Sequence, residues 1–288
     1  MVQDLTNRGR MLISCPDGPG IVAAVSQFLY QNGANIVQSD QHSTDPVGGR
    51  FFMRIEFDMP NLAERMPELE KQFEEIAQRF QMTWRMAHAG VKKRLAIFAT
   101  KEDHCLQELL WRWRLGELPT EIVMVVSNHR DLEPLVKPFG IPYYHVPVDK
   151  NNREAAEETH LKLLEGKVDT IVLARYMQII PPRMVQRYRN QIINIHHSFL
   201  PAFVGSRPYH QAYERGVKII GATAHYVTEE LDQGPIIEQD VQRVDHRDQV
   251  DDLKRIGRDV ERIVLARAVR WHLEDRVLVY GNKTIVFS

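Results

Sequence analysis

The segment IINIHHSFLPAF, residues 192–203, places an asparagine and two histidines where an apolar run gives way to a loop containing a proline. The run is short and rich in isoleucine, which favours a buried β-strand over a helix. Asn194 and His196 then lie at the carboxyl end of that strand, where open α/β sheets bind their ligands. Because side chains alternate along a strand, both residues face the same side of the sheet.

The sequence around this strand alternates between short β-rich runs and helical stretches. We predict strands at residues 95–99, 122–127, 143–146, 170–173 and 192–196, with helices between them at 105–115, 132–139, 153–164 and 181–188. This alternation is typical of a mostly parallel sheet with crossover helices, a Rossmann-like α/β fold. A more antiparallel tail follows, with strands at 221–227, 235–241, 277–280 and 283–287 and a long helix from about 246 to 273.

The N-terminal part of the chain follows a different order. Strands are predicted at residues 10–15, 35–41, 50–57 and 82–88, and helices at 21–31 and 62–80. A hairpin around Pro46, Gly48 and Gly49 joins the second and third strands. The resulting βαββαβ order is ferredoxin-like. With a linker near residues 89–93, we predict two domains, at 1–89 and 90–288.

Composition narrows the classes of function. The 288 residues include 37 basic and 38 acidic side chains, for a net charge of -1, so no global field attracts nucleic acid or an anionic membrane. The two cysteines, Cys15 and Cys105, lie far apart and lack metal-ligand spacing, which favours a cytoplasmic protein over a disulfide scaffold. We expect no signal peptide and no membrane span, because the apolar runs are too short.

Asn194 and His196 supply part of an acyl-transfer site. The amide can donate a hydrogen bond to an oxyanion, and the imidazole can give or take a proton near neutral pH. The best candidate for a carboxylate partner is Asp232, in the turn LDQGP before a predicted strand. A capping pair is the alternative for an isolated Asn-x-His motif. Zinc binding by the histidines is a second alternative, but without cysteine ligands or close histidine spacing we predict no metal.

Four sequence blocks carry a family resemblance. They are IVLARYMQII (171–180), NIHHSFLPAF (194–203), PYHQA (208–212) and GATAHYVTEELDQGPII (221–237). Their content and order resemble the folate-dependent formyltransferase superfamily. The resemblance implies 10-formyltetrahydrofolate as the substrate, no cofactor, and a catalytic set of Asn194, His196 and Asp232.

The same resemblance implies a pocket for the pterin ring of the folate. A flat heterocycle needs apolar walls and hydrogen bonds to its edge, largely from backbone groups. The expected substrate-binding residues are Leu173, Arg175, Tyr176, Met177, Gln178, Ile179, Ile180, Val227, Glu230 and Leu231. One family member has arginine where this chain has Gln178, so Arg175 is our candidate for contact with the glutamate tail of the folate.

The formyl acceptor is predicted from the segment that follows strand 95–99. Ribonucleotide formyltransferases carry there a loop rich in glycine and serine, whose backbone amides hold a substrate phosphate. This chain has Lys101, Glu102, Asp103, His104 and Cys105 instead, and the two carboxylates would repel a phosphate. We therefore expect water to accept the formyl group, which gives formate and tetrahydrofolate.

The N-terminal segment MLISCPDGPGIVAAVSQFLYQNGANIVQSDQHST, residues 11–44, resembles an ACT domain, a ferredoxin-like module that often binds amino acids. The resemblance implies an effector site that uses Asp17, Gly18, Gly20, Ile21 and Asn35, with glycine and methionine as candidate effectors. It also implies a homo-oligomer paired through these domains. A purely architectural domain used for dimer pairing is the alternative.

An ACT domain followed by this catalytic domain resembles the formyltetrahydrofolate deformylases along nearly the whole chain. Such an enzyme would supply formate to purine synthesis and balance the one-carbon pools. Two other classes stay open at this point. One is a transferase that delivers the formyl group to an amine such as glycinamide ribonucleotide, and the other is a regulatory protein that binds folate without turnover.

Overall fold

The computed structural model describes residues 5–45, 47–201 and 207–288. Within these ranges the chain forms two compact units. The first contains the described residues up to Lys92 together with 274–278 and 285–288, and the second contains 93–273 and 279–284. Pro46 of the predicted hairpin, and Ala202 and Phe203 of the loop after His196, lie outside the described residues. The domain limits 1–89 and 90–288 describe functional modules and stay a prediction.

The first unit is built on a four-stranded antiparallel sheet. Its elements follow in the order β1 (Arg8–Pro16), α1 (Ile21–Gln31), β2 (Asn35–Ser43), β3 (Arg50–Asp58), α2 (Leu62–Arg79) and β4 (Thr83–His88). The strands lie in the sheet in the order β2-β3-β1-β4. This is the ferredoxin-like βαββαβ fold, so the prediction for this part of the chain is confirmed.

The apolar core of the first unit is shared by its sheet and its two helices. Met11, Ile13 and Cys15 alternate along β1 and are all buried in this core, as the two-residue period of a strand requires. Phe73 of α2 packs edge-to-face against Phe28 of α1, with 5.1 Å between ring centroids. Aromatic pairs in this geometry add to the stability gained by burial alone.

Buried charges occupy other positions of the same sheet. Arg54 is fully buried on β3 and forms an ion pair with Glu56. The carboxylate of Asp275 accepts hydrogen bonds from Arg10 and Arg85, and its backbone carbonyl accepts one from Arg54 at 2.8 Å. Burial lowers the pKa of Arg54, against the opposing effect of Glu56. The residues just after the last helix are therefore held in the first unit by charged hydrogen bonds.

The second unit is built on a seven-stranded sheet. Its elements follow in the order β5 (Lys93–Ala99), α3 (His104–Arg114), β6 (Thr120–Ser127), α4 (Glu133–Val136), β7 (Tyr143–His145), α5 (Arg153–Leu164), β8 (Thr170–Ala174), α6 (Pro182–Arg187), β9 (Ile192–His196), α7 (Pro208–Glu214), β10 (Ile219–Tyr226), β11 (Ile236–Arg243) and α8 (Val250–Leu273). A 3₁₀ turn, Lys137–Phe139, follows α4, and β12 (Val277–Tyr280) pairs with β13 (Lys283–Val286) near the C-terminus. No helix in the described ranges is long and apolar enough to cross a membrane.

The strand order in this sheet, β11-β10-β9-β8-β5-β6-β7, confirms the predicted α/β class. Strands β5 to β9 pair in parallel, whereas β10 pairs antiparallel with both β9 and β11. The chain first builds outward from β5 through β6 and β7, and then continues on the other side of β5 with β8. Such a switch point leaves a crevice at the carboxyl ends of the strands, where open α/β sheets bind ligands.

One predicted boundary is wrong. The long helix begins at Val250 and not near His246. A turn precedes the helix, because the backbone N–H of Asp245 donates to the side chain of Asp248 at 2.8 Å. The N–H of Gln249 then donates to the side chain of Asp252 at 3.1 Å, which satisfies a backbone donor at the start of α8.

Candidate active site

A cavity of about 380 Å³ lies at the carboxyl ends of β8 and β9. Its walls come from the end of β9, the segment after β8 and the loop after β10. The lining includes Asn194, His196 and Asp232, and it includes the predicted substrate-binding residues Leu173, Arg175, Tyr176, Met177, Gln178, Ile179, Ile180, Val227 and Leu231. Glu230 is exposed and does not line the cavity. The structure thus brings together all three predicted catalytic side chains.

The three side chains meet around a fourth, His225. Nδ1 of His196 lies 3.2 Å from Oδ2 of Asp232, and Nε2 of His225 lies 3.6 Å from Oδ1 of the same carboxylate. Nδ2 of Asn194 lies 3.3 Å from Nε2 of His225. His225 is almost fully buried, whereas 12% of the Asp232 side chain is exposed. The carboxylate therefore connects two imidazoles at the floor of the cavity.

The local backbone explains how Asp232 reaches this position. Asp232 has φ of 56°, a left-handed conformation that aspartate tolerates better than most residues. Two residues later, a Cβ on Gly234 would lie 1.7 Å from the carbonyl oxygen of Tyr226. Only glycine permits that close approach, which folds the loop back onto β10. The motif LDQGP thus contributes both the carboxylate and the turn that places it.

The position of His225 follows from the antiparallel pairing of β10 with β9. In this register His225 lies opposite Asn194 and Thr223 lies opposite His196. Directly opposed residues on one face of a sheet bring their side chains together. His225 is not among the residues predicted from the sequence, because local patterns do not establish this register. The block GATAHYV contained the signal, since its histidine falls on a strand next to the Asn-x-His strand.

Electrostatics fix the charge state of the carboxylate. Hydrogen bonds from His196 and His225 hold the pKa of Asp232 well below its usual range, although burial acts in the opposite direction. Asp232 is therefore ionised at neutral pH. Nδ1 of His225 lies 2.9 Å from the carbonyl oxygen of Tyr226, so this nitrogen carries a proton. In neutral His225, Nε2 then accepts a hydrogen bond from Asn194, whereas in the imidazolium it donates to Asp232.

A second polar group surrounds Glu261 of α8. Its carboxylate accepts a hydrogen bond from the Tyr209 hydroxyl at 2.6 Å, lies 2.8 Å from Nε2 of His104 and lies 3.5 Å from Nε of Arg175. Burial alone would raise the pKa of Glu261, but the hydrogen bond with His104 and the charge of Arg175 lower it overall. Glu261 is not among the site residues predicted from the sequence, where it is one of many charges on a long helix.

His197 lies between the two groups. Its ring centroid is 5.2 Å from that of His196 and 6.0 Å from that of Tyr209. Burial, helped by the charge of Arg175, lowers the pKa of His197 to about 4. His197 is therefore neutral at pH 7, and it separates the carboxylate of Asp232 from the Glu261 group without adding charge.

One set of residues in the described ranges lies close enough to hold a metal ion. The ligand atoms of His104, Cys105 and Glu261 lie within 4.8 Å of one another. Burial raises the pKa of the Cys105 thiol, which disfavours the thiolate that a metal needs. Glu261 already accepts from Tyr209 and contacts Arg175, so this donor set is poorly suited to a cation. The absence of a metal and of a cofactor from the reaction stays a prediction.

The mouth of the cavity is apolar. Met177, Ile179 and Leu231 are 56%, 71% and 64% exposed. The wall behind them is firm, because Tyr176 is buried and packs edge-to-face against Phe98 at 5.2 Å. Exposed apolar side chains around a polar floor are typical of a small-molecule site that a ligand covers.

The predicted effector residues lie around the β1–α1 turn of the first unit. Oδ2 of Asp17 accepts a hydrogen bond from Ser43 at 2.5 Å, and Gly20 has a left-handed φ of 92° just before α1. Asn35 is exposed at the start of β2. The side chain of Ile21 is buried in the core, so only its backbone faces the turn. A Cβ on Gly18 would meet no atom within 4 Å, so this position has open space beside it.

Comparisons with known proteins agree with this architecture. The formyl transferase family model matches residues 93–269, and the ACT domain model matches residues 10–74. A formyltetrahydrofolate deformylase of Bacillus subtilis is 58% identical over 283 residues, which cover 98% of this chain and 94% of that protein. The chain belongs to the formyltetrahydrofolate deformylase family.

Solved structures give the same family and a more distant branch. The crystal structure of a formyltetrahydrofolate deformylase from Pseudomonas syringae superposes with a TM-score of 0.93 at 52% identity, and it covers 98% of this chain and 94% of that chain. A glycinamide ribonucleotide transformylase from Symbiobacterium toebii has a TM-score of 0.64 at 31% identity, with 68% of this chain and 95% of that chain covered. The similarity to the deformylase therefore includes the first unit, because it covers nearly the whole chain, whereas the similarity to the transformylase covers about two thirds of it.

Proposed function

We propose that the protein hydrolyses 10-formyltetrahydrofolate to formate and tetrahydrofolate. The observation that carries this proposal is the contact of Asp232 with His196, at 3.2 Å, beside Asn194 in the apolar-mouthed cavity. An amide, an imidazole and an ionised carboxylate are the groups that hydrolysis of a formamide needs. The full-length similarity to formyltetrahydrofolate deformylases supports the same reaction.

Asn194 and His196 stabilise the developing oxyanion in this mechanism. One N–H of the Asn194 amide is directed at His225, which orients the amide and leaves its second N–H for the formyl oxygen. Nε2 of His196 has no hydrogen-bond partner among the described residues. This nitrogen is therefore available to the substrate, while Nδ1 is held by Asp232.

Asp232 orients the attacking water and the proton relay. A carboxylate whose pKa is depressed is a weak base, so it is suited to hold a water by a hydrogen bond and to stabilise an imidazolium. The water oxygen bonds to the formyl carbon, and one water proton passes through His196 to N10 as the C–N10 bond breaks. The second proton leaves when formic acid ionises, and the products are formate and tetrahydrofolate.

The folate itself is held by the upper part of the cavity. The apolar side chains of Met177, Ile179 and Leu231 are suited to cover a flat heterocycle, and the backbone between Val227 and Leu231 offers hydrogen bonds to its edge. Burial of these exposed side chains on binding supplies a hydrophobic contribution to affinity.

The decisive experiment is an assay without any acceptor. We expect the purified protein to release one formate for each 10-formyltetrahydrofolate consumed, with Asp232→Asn as a variant of equal shape that loses the charge and most of the turnover. Consumption that begins only when an amine is added would identify a transferase. Saturable folate binding with no turnover in the wild-type protein would identify a binding protein.

We further propose that the first unit makes this activity responsive to a small amino acid such as glycine or methionine. The open space beside Gly18 and the exposure of Asn35 support this proposal. ACT domains commonly pair with one another, so we propose a homo-oligomer. We also propose a cytoplasmic location, which fits the free thiols of Cys15 and Cys105. Titration calorimetry with each proteinogenic amino acid tests the effector site, and a complete absence of heat would contradict it.

A further inference from the structure

A second cavity, of about 240 Å³, adjoins the catalytic cavity. The two cavities share Arg175 and His197 in their walls. A neutral imidazole and a guanidinium thus separate the place where the formyl group is cleaved from a second polar space. We call this second space the anion cavity, because its lining carries more positive than negative side chains.

The lining of the anion cavity is dominated by cations. Its cationic side chains are Arg175, Arg207, Lys254 and Arg258, and its anionic side chains are Glu102 and Glu261. Glu261 is already compensated, because it lies 2.8 Å from His104 and 3.5 Å from Arg175. Lys254 contacts Asp251 at 2.9 Å, whereas Arg258 forms no hydrogen bond or ion pair with the described residues. A cavity with surplus positive charge favours an anion.

Arg175 gives this cavity a buried cation with spare donors. Its φ of 61° is left-handed, an unfavourable conformation for a long side chain that persists only where the surroundings enforce it. Only 13% of the side chain is exposed, and both Nε and Nη1 are buried without a hydrogen-bond partner. A guanidinium in this state is stabilised by a nearby carboxylate ligand more than by water.

Helix α8 presents two of the other cations. Lys254, Arg258 and Glu261 follow one another at spacings of four and three residues, so they lie on one face of the helix. Gly257 lies on the same face, where a Cβ would come within 1.9 Å of the Tyr209 hydroxyl oxygen. The glycine allows Tyr209 to pack against the helix and to hold Glu261 beside Arg175.

We propose that the anion cavity is a binding site for the formate product. This inference rests on the proposed function, because hydrolysis releases formate next to Arg175 and His197, at the common wall of the two cavities. A water occupies about 30 Å³ of liquid, so the cavity has room for formate and several waters. Formate carries one negative charge, and the carboxylate of Glu102 in the lining favours such an ion over a more highly charged phosphate.

The test measures formate binding by two independent readouts. The first is inhibition by formate of tetrahydrofolate release from 10-formyltetrahydrofolate, at constant ionic strength. The second is broadening of the ¹³C-formate NMR signal by the protein without folate. We expect formate to inhibit and to broaden, and we expect Arg258→Gln to raise both the inhibition constant and the dissociation constant about tenfold, as for the loss of one charge-assisted hydrogen bond.

The matched control is Arg255→Gln, which removes an exposed arginine of the same helix that pairs with Asp252 and lies outside the anion cavity. The control should leave both constants and the turnover unchanged. Turnover without any formate binding, or formate binding that Arg258→Gln does not weaken, would overturn the proposal. Tighter binding of inorganic phosphate than of formate, weakened by Arg258→Gln, would also overturn it. A protein that binds formate in this way but releases none from the substrate would refute the proposed function alone.

Discussion

Asn194 is the residue whose role depends most directly on a single hydrogen bond. Its amide is oriented by His225 at 3.3 Å and has a second N–H for the substrate oxygen. We expect Asn194→Ala to lower kcat by about 10²–10³, the usual cost of removing one oxyanion donor. Steady-state kinetics with a thermal unfolding curve checks this. The control is Asn151→Ala at an exposed position, which should leave kcat unchanged. Near-wild-type turnover by Asn194→Ala would remove Asn194 from the proposed role.

We propose that His225 acts through its neighbours, as a positioning residue. We expect His225→Leu to lower kcat about tenfold with little change in KM, since its ring contacts Asn194 and Asp232 at the floor of the cavity and is not among the exposed apolar side chains at the mouth. The variant also loses a hydrogen bond that depresses the pKa of Asp232. That pKa should rise, so the acid limb of the kcat profile should move to higher pH. An unshifted profile would indicate a purely structural role.

His160 makes a separate prediction about stability. It is buried beside Phe98 and Tyr176, and burial lowers its pKa to about 4. The unfolded chain therefore binds a proton that the folded chain does not, between about pH 6.5 and 4. The contribution of neutral His160 to the free energy of unfolding is fully present above about pH 6.5 and is lost as the pH falls from there towards 4. Between pH 7 and 5 the loss should be about 2 kcal/mol.

The variant His160→Leu isolates this contribution. Its free energy of unfolding, from urea denaturation, should depend less on pH than that of the wild-type protein over the same range. Leu161→Ala removes a neighbouring buried side chain that does not titrate. It should lower stability equally at both pH values. A wild-type pH dependence in His160→Leu would exclude the buried imidazole as its source.

The sequence identified some site residues better than others for physical reasons. Asn194 and His196 could be predicted from strand alternation, and Asp232 from a turn next to a strand. His225 required the β9–β10 register, and Glu261 required the orientation of α8 against Tyr209 and Arg175. Those depend on contacts between segments far apart in the chain, which no local pattern contains.

Among the elements, α7 and α8 show how one missing side chain permits a helix contact. An alanine Cβ at position 257 would lie 1.9 Å from the Tyr209 hydroxyl oxygen. Alanine favours a helix interior over glycine by up to about 1 kcal/mol, but overpacking costs about 1–3 kcal/mol. We expect Gly257→Ala to lower Tm and to weaken the Tyr209–Glu261 hydrogen bond.

A double-mutant cycle separates the two effects. In a Tyr209→Ala background the clash is gone, so Gly257→Ala should become neutral or stabilising. The same change of sign would not appear if position 257 mattered only through helix propensity. Tm measurements on the four proteins decide between these outcomes.

The predicted elements agree with the structure wherever periodicity is strong. The βαββαβ order and the alternating strands and helices of the sheet are confirmed. The structure begins α8 later than the sequence pattern predicts, because the acidic residues of the preceding turn, Asp245 and Asp248, resemble the charge pattern of a helix start in sequence. The strand order could not be predicted from the sequence, because β5 pairs not only with β6, the next strand, but also with β8, which lies far along the chain.

At the scale of the whole molecule, the chain passes from the first unit to the second and returns. Residues 274–278 and 285–288 belong by packing to the first unit, although they follow the last helix of the second. No sequence pattern in this segment resembles an ACT domain. Its attachment depends on ion pairs of Asp275 with β1 and β4 and on a hydrogen bond from Arg54 of β3 to the Asp275 carbonyl, contacts that form only when the sheet has formed.

Asp275 gives the last prediction, because its carboxylate is 2% exposed and accepts from both Arg10 and Arg85. Removing one partner of a buried ion pair costs about 3–5 kcal/mol when the other charge is left unpaired, and the cost should be smaller at Asp275 because Arg10 keeps Glu56 and Arg85 is half-exposed. We expect Asp275→Ala to accelerate amide hydrogen exchange in β1 and β3 and to leave β8 and β9 unchanged. The control Asp251→Ala removes an exposed aspartate and should change neither set. Equal acceleration in all four strands would mean that these ion pairs stabilise both units alike, against a role confined to the first.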